Sequence, residues 1–276
     1  TIDQHPPLYF VLLSGVIRLF GESDTALRSL SAVFAALSVW MLALLGTEIA
    51  NKRVGLLAAL LGALSPLYLW YAQEARMYTM LVFITLVTTL ALLRACKRHS
   101  FKWLILYGLT TVVGIFTQYM YVLIIPAQVL AGLLLVGDIT PFAHKVRRPR
   151  HFTVIAAILG TLIVFGLVLV YLQVSSVVEL AETGRSYVLP HTIILDVLHS
   201  SLYGLAMNPK TMVAITAFAG ALIVLGIYSL SRSNQEEASS NRRSLQALFI
   251  LWLITPALGF WVYSLIFGPV YMGSRY

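Results

Sequence analysis

The residues of this chain that could do chemistry are few, and the densest group of them is the segment 73–78, QEARMY. A carboxylate can take a proton from a reacting hydroxyl, and a guanidinium fork matches the oxygens of a phosphate. Glu74 and Arg76 are the only charged residues among the 40 residues from Val54 to Leu93. Ionisable groups beside a bilayer are costly, so they tend to be paired, to face a watery cavity or to bind something. Two interpretations stay open, a local ion pair that caps a helix hairpin and a ligand site at one face of a membrane.

A second polar pair, Asp3 and His5, comes directly before Pro6 and Pro7. The two prolines give an extended segment, and proline is tolerated in the first turn of a helix. They would therefore hold Asp3 and His5 just outside the membrane surface. One interpretation is a helix N-terminus at which the helix dipole favours Asp3. The other is a carboxylate and an imidazole offered to a ligand or a metal.

The elements that position these residues are predicted to be membrane-spanning helices. The chain is 59% hydrophobic and 11% charged, whereas soluble domains carry about 25% charged residues. A spanning helix needs roughly 20 apolar residues. Apolar runs of near this length lie at about 25–50, 54–71, 77–95, 103–119, 121–137, 151–173, 211–230 and 245–267. They predict an all-α, polytopic transmembrane bundle of about eight spanning helices, in which Pro66 loosens the helix before the 73–78 turn.

The charges of the connecting segments predict the topology. Alternate connections carry 13 of the 19 basic residues with four acids, and the others carry six basic residues with seven acids. A basic excess marks the cytoplasmic side. The 231–244 stretch is then a cytoplasmic linker, and the 73–76 turn, the 174–208 loop and the 274–276 end are external. Because the net charge of +8 follows from topology, no nucleic-acid partner is predicted.

The segment from Pro7 to Phe20 is predicted to lie on the outer membrane face. Its 14 residues would make about 21 Å of helix, short of the ~30 Å hydrocarbon core. The stretch 1–24 is therefore predicted to be an external interfacial segment, with Pro7–Phe20 either lying on the outer face or entering it as a shallow re-entrant helix. This arrangement gathers charged and titratable residues on one face: Asp3, His5, Glu74, Arg76 and Arg275.

Several motifs occur together in one order: DQHPPLY at 3–9, FGES at 20–23, ALR at 26–28, SP at 65–66, QEARMY at 73–78 and SRY at 274–276. This order resembles the multi-spanning lipid-linked-sugar glycosyltransferases of the GT-C superfamily. The branch it resembles is that of the protein O-mannosyltransferases and the bacterial aminoarabinose transferase acting on lipid A. The resemblance implies a single transmembrane glycosyltransferase domain over 1–276, cut at both ends, in the plasma or inner membrane. Its external active site would take a polyprenyl-phosphate-linked sugar and a lipid, glycan or protein acceptor.

The resemblance also implies roles. The family's main catalytic Asp lies in the first external loop, upstream of Thr1, which leaves Asp3 and Glu74 as supporting catalytic acids. Arg76 and Arg275 would stabilise the departing phosphate, and the substrate-binding set is His5, Gln73, Arg76, Tyr78, Arg275 and Tyr276. His5 could assist as a cation or hold a divalent metal, and no cofactor is certain. The aminoarabinose branch has a lysine in place of His5, which leaves the sugar, hexose or pentose, and the acceptor open.

Two other classes of function remain. A transporter or flippase would use Glu74 and Arg76 as a membrane-embedded switch, and it predicts charges near the bilayer midplane and inverted repeats. A scaffold subunit without activity is the third interpretation. Walker, dinucleotide-binding, zinc-protease and nucleophile-elbow motifs are absent from the sequence, which removes support from ATP-driven transport and serine hydrolysis.

Overall fold

The computed structural model describes residues 6–98, 100–128 and 258 of the 276 residues. Within this part the chain is helical and contains no strand, in agreement with the predicted all-α fold. The elements in chain order are α1 Leu8–Phe20, α2 Asp24–Ile49, α3 Lys52–Leu64, α4 Pro66–Ala72, α5 Tyr78–Arg98, α6 Phe101–Thr117 and a 3-10 helix Tyr119–Ile124. The predicted spans from 151 onward, the 174–208 loop and the 231–244 linker lie outside the described residues, apart from residue 258.

Helices long and apolar enough to cross a membrane lie where the sequence predicts them. In the described part, α2 and α5 each qualify, and α3 with α4 qualifies as a third, broken span. These match the predicted runs 25–50, 77–95 and 54–71. The next run, 103–119, forms the 17-residue α6, and the run 121–137 begins in the 3-10 helix.

The break between α3 and α4 lies at Pro66. Ser65 has an extended backbone with φ −65° and ψ 119°, and Pro66 is the first residue of α4. The ring of a proline pushes the preceding residue out of the helical region, and its missing N–H costs nothing in a first turn. The axes of α3 and α4 differ by 64°, which confirms the predicted effect of Pro66. As a result α4 is a separate seven-residue helix that leads into the 73–78 turn.

Local sequence explains both ends of the α1–α2 connection. The α1 helix begins directly after Pro7 and ends at Gly21, whose φ of 81° favours glycine. The Gly21 N–H donates to the Ile17 carbonyl at 2.8 Å. The Ser23 hydroxyl then accepts from the Ala26 N–H at 3.2 Å and caps the start of α2. With 13 residues, α1 is about 20 Å long and shorter than the ~30 Å core, and its place on the outer membrane face stays a prediction.

The hairpin of α2 and α3 packs backbone against backbone at two glycines. A Cβ on Gly46 would stand 2.7 Å from the Gly55 Cα. A Cβ on Gly55 would collide with the carbonyl oxygen of Ala43 and the hydroxyl of Thr47. Small residues let membrane helices approach closely, where packing rather than the hydrophobic effect drives association. The hairpin that leads to the candidate site therefore depends on these two positions.

We expect Gly55→Val to lower the stability of the folded protein by about 1–3 kcal/mol, because an overpacked helix contact must open. The measurement is thermal unfolding of the purified protein in detergent. The matched control is Gly108→Ala in α6, where an added Cβ meets no atom within 4 Å. Equal melting temperatures for Gly55→Val and the wild-type protein would show that the hairpin tolerates a wider contact.

The two ends of the bundle differ in charge. Near the end of α2, the Glu48 carboxylate contacts three basic residues of α5, Arg94 at 2.9 Å, Lys97 at 3.8 Å and Arg98 at 3.6 Å. Near the start of the same two helices, the Ser31 hydroxyl donates to the Arg76 carbonyl at 3.1 Å. Thus α2 and α5 run side by side in one direction. The basic end of the bundle therefore lies opposite the end that carries the 73–78 turn, as the alternating charges of the loops predict.

Candidate functional site

The candidate site is built on the tight turn between α4 and α5. The helix α4 ends at Ala72 and α5 begins at Tyr78. Backbone bonds close the turn, from the Gln73 N–H to the Trp70 carbonyl at 3.0 Å and from the Arg76 N–H to the Glu74 carbonyl at 2.8 Å. The turn is therefore ordered by its own backbone, and its polar side chains leave from neighbouring positions at one end of the bundle.

Glu74 is held by an aromatic neighbour. The Trp70 indole Nε1 donates to the Glu74 Oε1 at 2.9 Å. The Glu74 side chain is half-buried, and Trp70 is 50% exposed on α4. A charge-assisted bond of this kind restricts the carboxylate without neutralising it. This bond uses Oε1 and leaves the second oxygen, Oε2, outside the contact with Trp70.

Arg76 is exposed and stands beside two tyrosines. Its Nη1 donates to the Tyr78 hydroxyl at 3.4 Å, and the Tyr78 and Tyr71 rings pack at 4.8 Å between centroids with a 56° tilt. One described contact of the Glu74 carboxylate is with the indole, and one described contact of the Arg76 guanidinium is with a phenol. Each charge therefore has an aromatic neighbour at the turn.

Gln73, a predicted binding residue, has a local role in the structure. Its Nε2 donates to the Leu69 carbonyl at 3.2 Å and so satisfies one of the last carbonyls of α4. The residue is nevertheless exposed at the same end of the bundle as Arg76. It supports the turn, and a role in binding stays a prediction.

The start of α1 packs under the turn. Tyr9 is fully buried in one hydrophobic cluster with Met77 and Met80, and Met77 lies between Arg76 and Tyr78 in sequence. The structure therefore brings the segment after Pro7 to the same end of the bundle as the 73–78 turn. Asp3, His5, Arg275 and Tyr276 lie outside the described residues, so their convergence on this end stays a prediction.

Two further residues belong to this region and were missed from sequence. Ser31, fully buried on α2, donates to the Arg76 carbonyl of the turn, and the Trp70 indole donates to the Glu74 carboxylate. A Trp four residues before a carboxylate on a helix is a spacing that could have suggested the second contact. Among the described residues no three His, Cys, Asp or Glu side chains come together as metal ligands.

The apolar helices and the polar turn at one end of them define a membrane protein of all-α architecture. The family model described as dolichyl-phosphate-mannose-protein mannosyltransferase matches residues 4–171, which is more than half of the chain, and the chain belongs to this family. Membership indicates a membrane glycosyltransferase of GT-C type, from a family that uses lipid-linked sugar donors. No curated protein and no solved structure matches the chain.

Proposed function

We propose that this chain forms the active-site part of an integral-membrane glycosyltransferase that moves a sugar from a polyprenyl-phosphate donor to an acceptor hydroxyl. The observation that carries the proposal is the exposed Arg76 guanidinium, held beside the Tyr78 hydroxyl at the end of a broken membrane helix. Family membership supports a lipid-linked donor. Helices broken near a polar site are a recurring way to place ligand-binding groups within membrane proteins.

In the proposed reaction the acceptor oxygen attacks the anomeric carbon, and the bond from that carbon to the phosphate oxygen breaks. The polyprenyl phosphate leaves with one more negative charge, and the acceptor proton goes to a carboxylate. Arg76 stabilises the growing charge because a guanidinium can bind two phosphate oxygens at once. Arg275 is proposed as a second cation for the same group.

The carboxylates that the residues 1–276 contribute to the proposed site are Glu74 and Asp3, as supporting acids. Glu74 lies two residues from Arg76 and is oriented by Trp70. Asp3 and His5 are six and four residues before Tyr9, and four residues of extended chain span at most about 14 Å. The length of the chain therefore limits the distance between His5 and the buried Tyr9 to about 14 Å. Gln73, Tyr78 and Tyr276 complete the proposed set of contacts to the sugar and the phosphate.

The finer identity of the reaction is also proposed. The active face is extracytoplasmic, since the turn lies at the bundle end opposite to the basic cluster around Glu48. The acceptor is a lipid, a glycan or a protein hydroxyl. Within the family we favour the branch shared by the protein O-mannosyltransferases and the lipid A aminoarabinose transferase, because the HPPLY and QEARMY motifs occur together.

The test is sugar transfer by the full-length protein in proteoliposomes. The probe is radiolabelled polyprenyl-phosphate mannose, with membranes from cells that lack this protein as the source of acceptor. We expect transfer by the wild-type protein and a clear reduction in Asp3→Asn and His5→Ala, with membrane insertion unchanged. The matched control is Glu22→Gln, an exposed carboxylate in the α1–α2 connection.

Three results would count against the proposal in different ways. If the protein neither binds nor transfers sugar from polyprenyl-phosphate mannose or from a polyprenyl-phosphate pentose, the proposed function fails. If Asp3→Asn and His5→Ala transfer normally, the segment before Pro6 has a structural role only. Movement of the intact lipid-linked sugar across the bilayer without transfer would support the flippase alternative.

A further inference from the structure

A buried chain of hydrogen bonds joins three elements beneath the candidate site. The Tyr9 hydroxyl on α1 lies 2.8 Å from the Ser31 Oγ on α2, and the Ser31 hydroxyl donates to the Arg76 carbonyl at 3.1 Å. Tyr9 and Ser31 are both 0% exposed. The bonds connect residues 22 and 45 positions apart in sequence. They are therefore tertiary contacts rather than local caps.

The Arg76 carbonyl fixes the direction of both hydrogen bonds. A carbonyl oxygen can only accept, so the Ser31 hydroxyl must use its single proton on the Arg76 carbonyl. The Tyr9 hydroxyl must then donate to the Ser31 oxygen. Burial raises the pKa of Tyr9 above its ordinary value of 10, more than the bond to Ser31 lowers it, so the donor keeps its proton. The Tyr9 hydroxyl, the Ser31 hydroxyl and the Arg76 carbonyl thus each have a hydrogen-bond partner. Removing either hydroxyl takes a partner away from the group bonded to it.

The two hydrogen bonds fix the backbone of Arg76, while the Arg76 side chain stays exposed. The Arg76 carbonyl accepts a hydrogen bond from the Ser31 hydroxyl. The next side chain, Met77, is buried in the same hydrophobic cluster as Tyr9. The guanidinium of the same residue reaches the Tyr78 hydroxyl at 3.4 Å. Any shift of α1 relative to the turn must break the Tyr9–Ser31 bond, the Ser31–Arg76 bond or both.

We infer that Tyr9 and Ser31 are positioning residues, which hold the backbone of Arg76 at a fixed distance from the start of α1. The inference rests on the proposed function, and it assigns a purpose to the tyrosine of the HPPLY motif. A donor phosphate and an attacking hydroxyl must be held within a narrow range of distances, and a misplacement of about 1 Å can cost 10²-fold in rate. Tyr9 and Ser31 act through Arg76 and do not themselves contact the substrate.

The test compares Tyr9→Phe and Ser31→Ala with a control on the same helix. Ser38 is equally buried on α2, where its hydroxyl donates at 2.7 Å to the Phe34 carbonyl of its own helix and interacts with the Tyr68 side chain of α4, so the contacts described for it lie outside the 73–78 turn. We expect Tyr9→Phe and Ser31→Ala each to lower kcat/KM for transfer about 10-fold, with Ser38→Ala near the wild-type value. The double variant should lose little more than either single variant, because both act through one chain of bonds.

A second readout does not depend on catalysis. A cysteine reporter at the exposed end of the turn, Gln73→Cys, is labelled with a soluble maleimide, and the labelling rate is compared across the same backgrounds. We expect faster labelling with Tyr9→Phe and Ser31→Ala than with Ser38→Ala, since the turn is then released from α2. Native Cys96 is buried in α5, and the protein without the reporter gives the background.

The two readouts separate the inference from the proposed function. Faster labelling in a protein that transfers no sugar would uphold the positioning of the turn and overturn the proposed activity. Normal transfer and unchanged labelling in both Tyr9→Phe and Ser31→Ala would overturn the positioning role. A lower melting temperature with unchanged labelling and unchanged kcat/KM would reduce Tyr9 and Ser31 to stabilising contacts, and so would also overturn it.

Discussion

Arg76→Gln is expected to weaken binding of a polyprenyl-phosphate sugar to the full-length protein roughly 10- to 150-fold. The figure corresponds to the loss of a charge-assisted contact of about 1.5–3 kcal/mol. Arg76→Lys should fall between the wild-type protein and Arg76→Gln, because lysine keeps the charge and loses the guanidinium fork. Thermal stability should change little, since the Arg76 side chain is exposed and the turn is closed by backbone bonds.

The measurement is donor binding by the purified protein, with the melting temperature of each variant recorded in parallel. Polyprenyl phosphate without sugar serves as a competitor, and it should show the same loss if Arg76 contacts the phosphate. The matched control is Arg18→Gln, another exposed arginine, in the last turn of α1. Unchanged donor binding with a large fall in melting temperature would move Arg76 from the site to the scaffold.

The features that the sequence could predict are those set by neighbouring residues. A proline cannot continue a helix without losing a hydrogen bond, so Pro66 predicts a loosened helix end, and in the structure α3 and α4 meet there at 64°. Two charges in a long apolar run predict a turn, because a charge in mid-membrane is costly. Both effects act over a few residues, and the structure confirms both.

The features that the sequence could not predict depend on tertiary packing. Ser31 bonds a residue 45 positions away, while Ser38 on the same helix bonds its own backbone. A buried serine in an apolar helix has both options, and only the neighbouring element decides between them. In the same way, Gly46 and Gly55 are ordinary small residues until the hairpin brings them into contact. The remaining predicted site residues, Asp3, His5, Arg275 and Tyr276, lie outside the described part and stay predictions.

The site shows how a membrane helix can present polar groups at modest cost. The bend at Pro66 leaves α4 as a short helix whose last residues carry Trp70 and Tyr71 to the turn. The aromatic groups then supply one hydrogen-bonding contact to each charge, an indole N–H for Glu74 and a phenol for Arg76. Amphipathic rings of this kind suit the boundary between lipid and water. The two charges thus have separate supports, so they can be tested separately.

Glu74→Gln is expected to lower kcat for sugar transfer about 10²-fold, at the lower end of what a general acid or base contributes. The glutamine side chain keeps an oxygen that can accept from the Trp70 indole, so the geometry of the turn is retained while the charge and the proton acceptor are lost. Binding of the donor should stay within about 2-fold of the wild-type value, because Arg76 remains in place.

The paired variant Trp70→Phe separates the carboxylate from its support. It keeps an aromatic ring and removes the N–H that holds Glu74, so kcat should fall only about 2- to 12-fold, the equivalent of one hydrogen bond. Single-turnover transfer and donor binding are measured on all three proteins. If Glu74 only orients Arg76, Glu74→Gln will weaken donor binding and leave the single-turnover rate of transfer from the bound donor unchanged. A carboxylate that takes part in proton transfer should give the opposite pattern. A wild-type rate for Glu74→Gln would assign proton transfer to Asp3 or to another carboxylate.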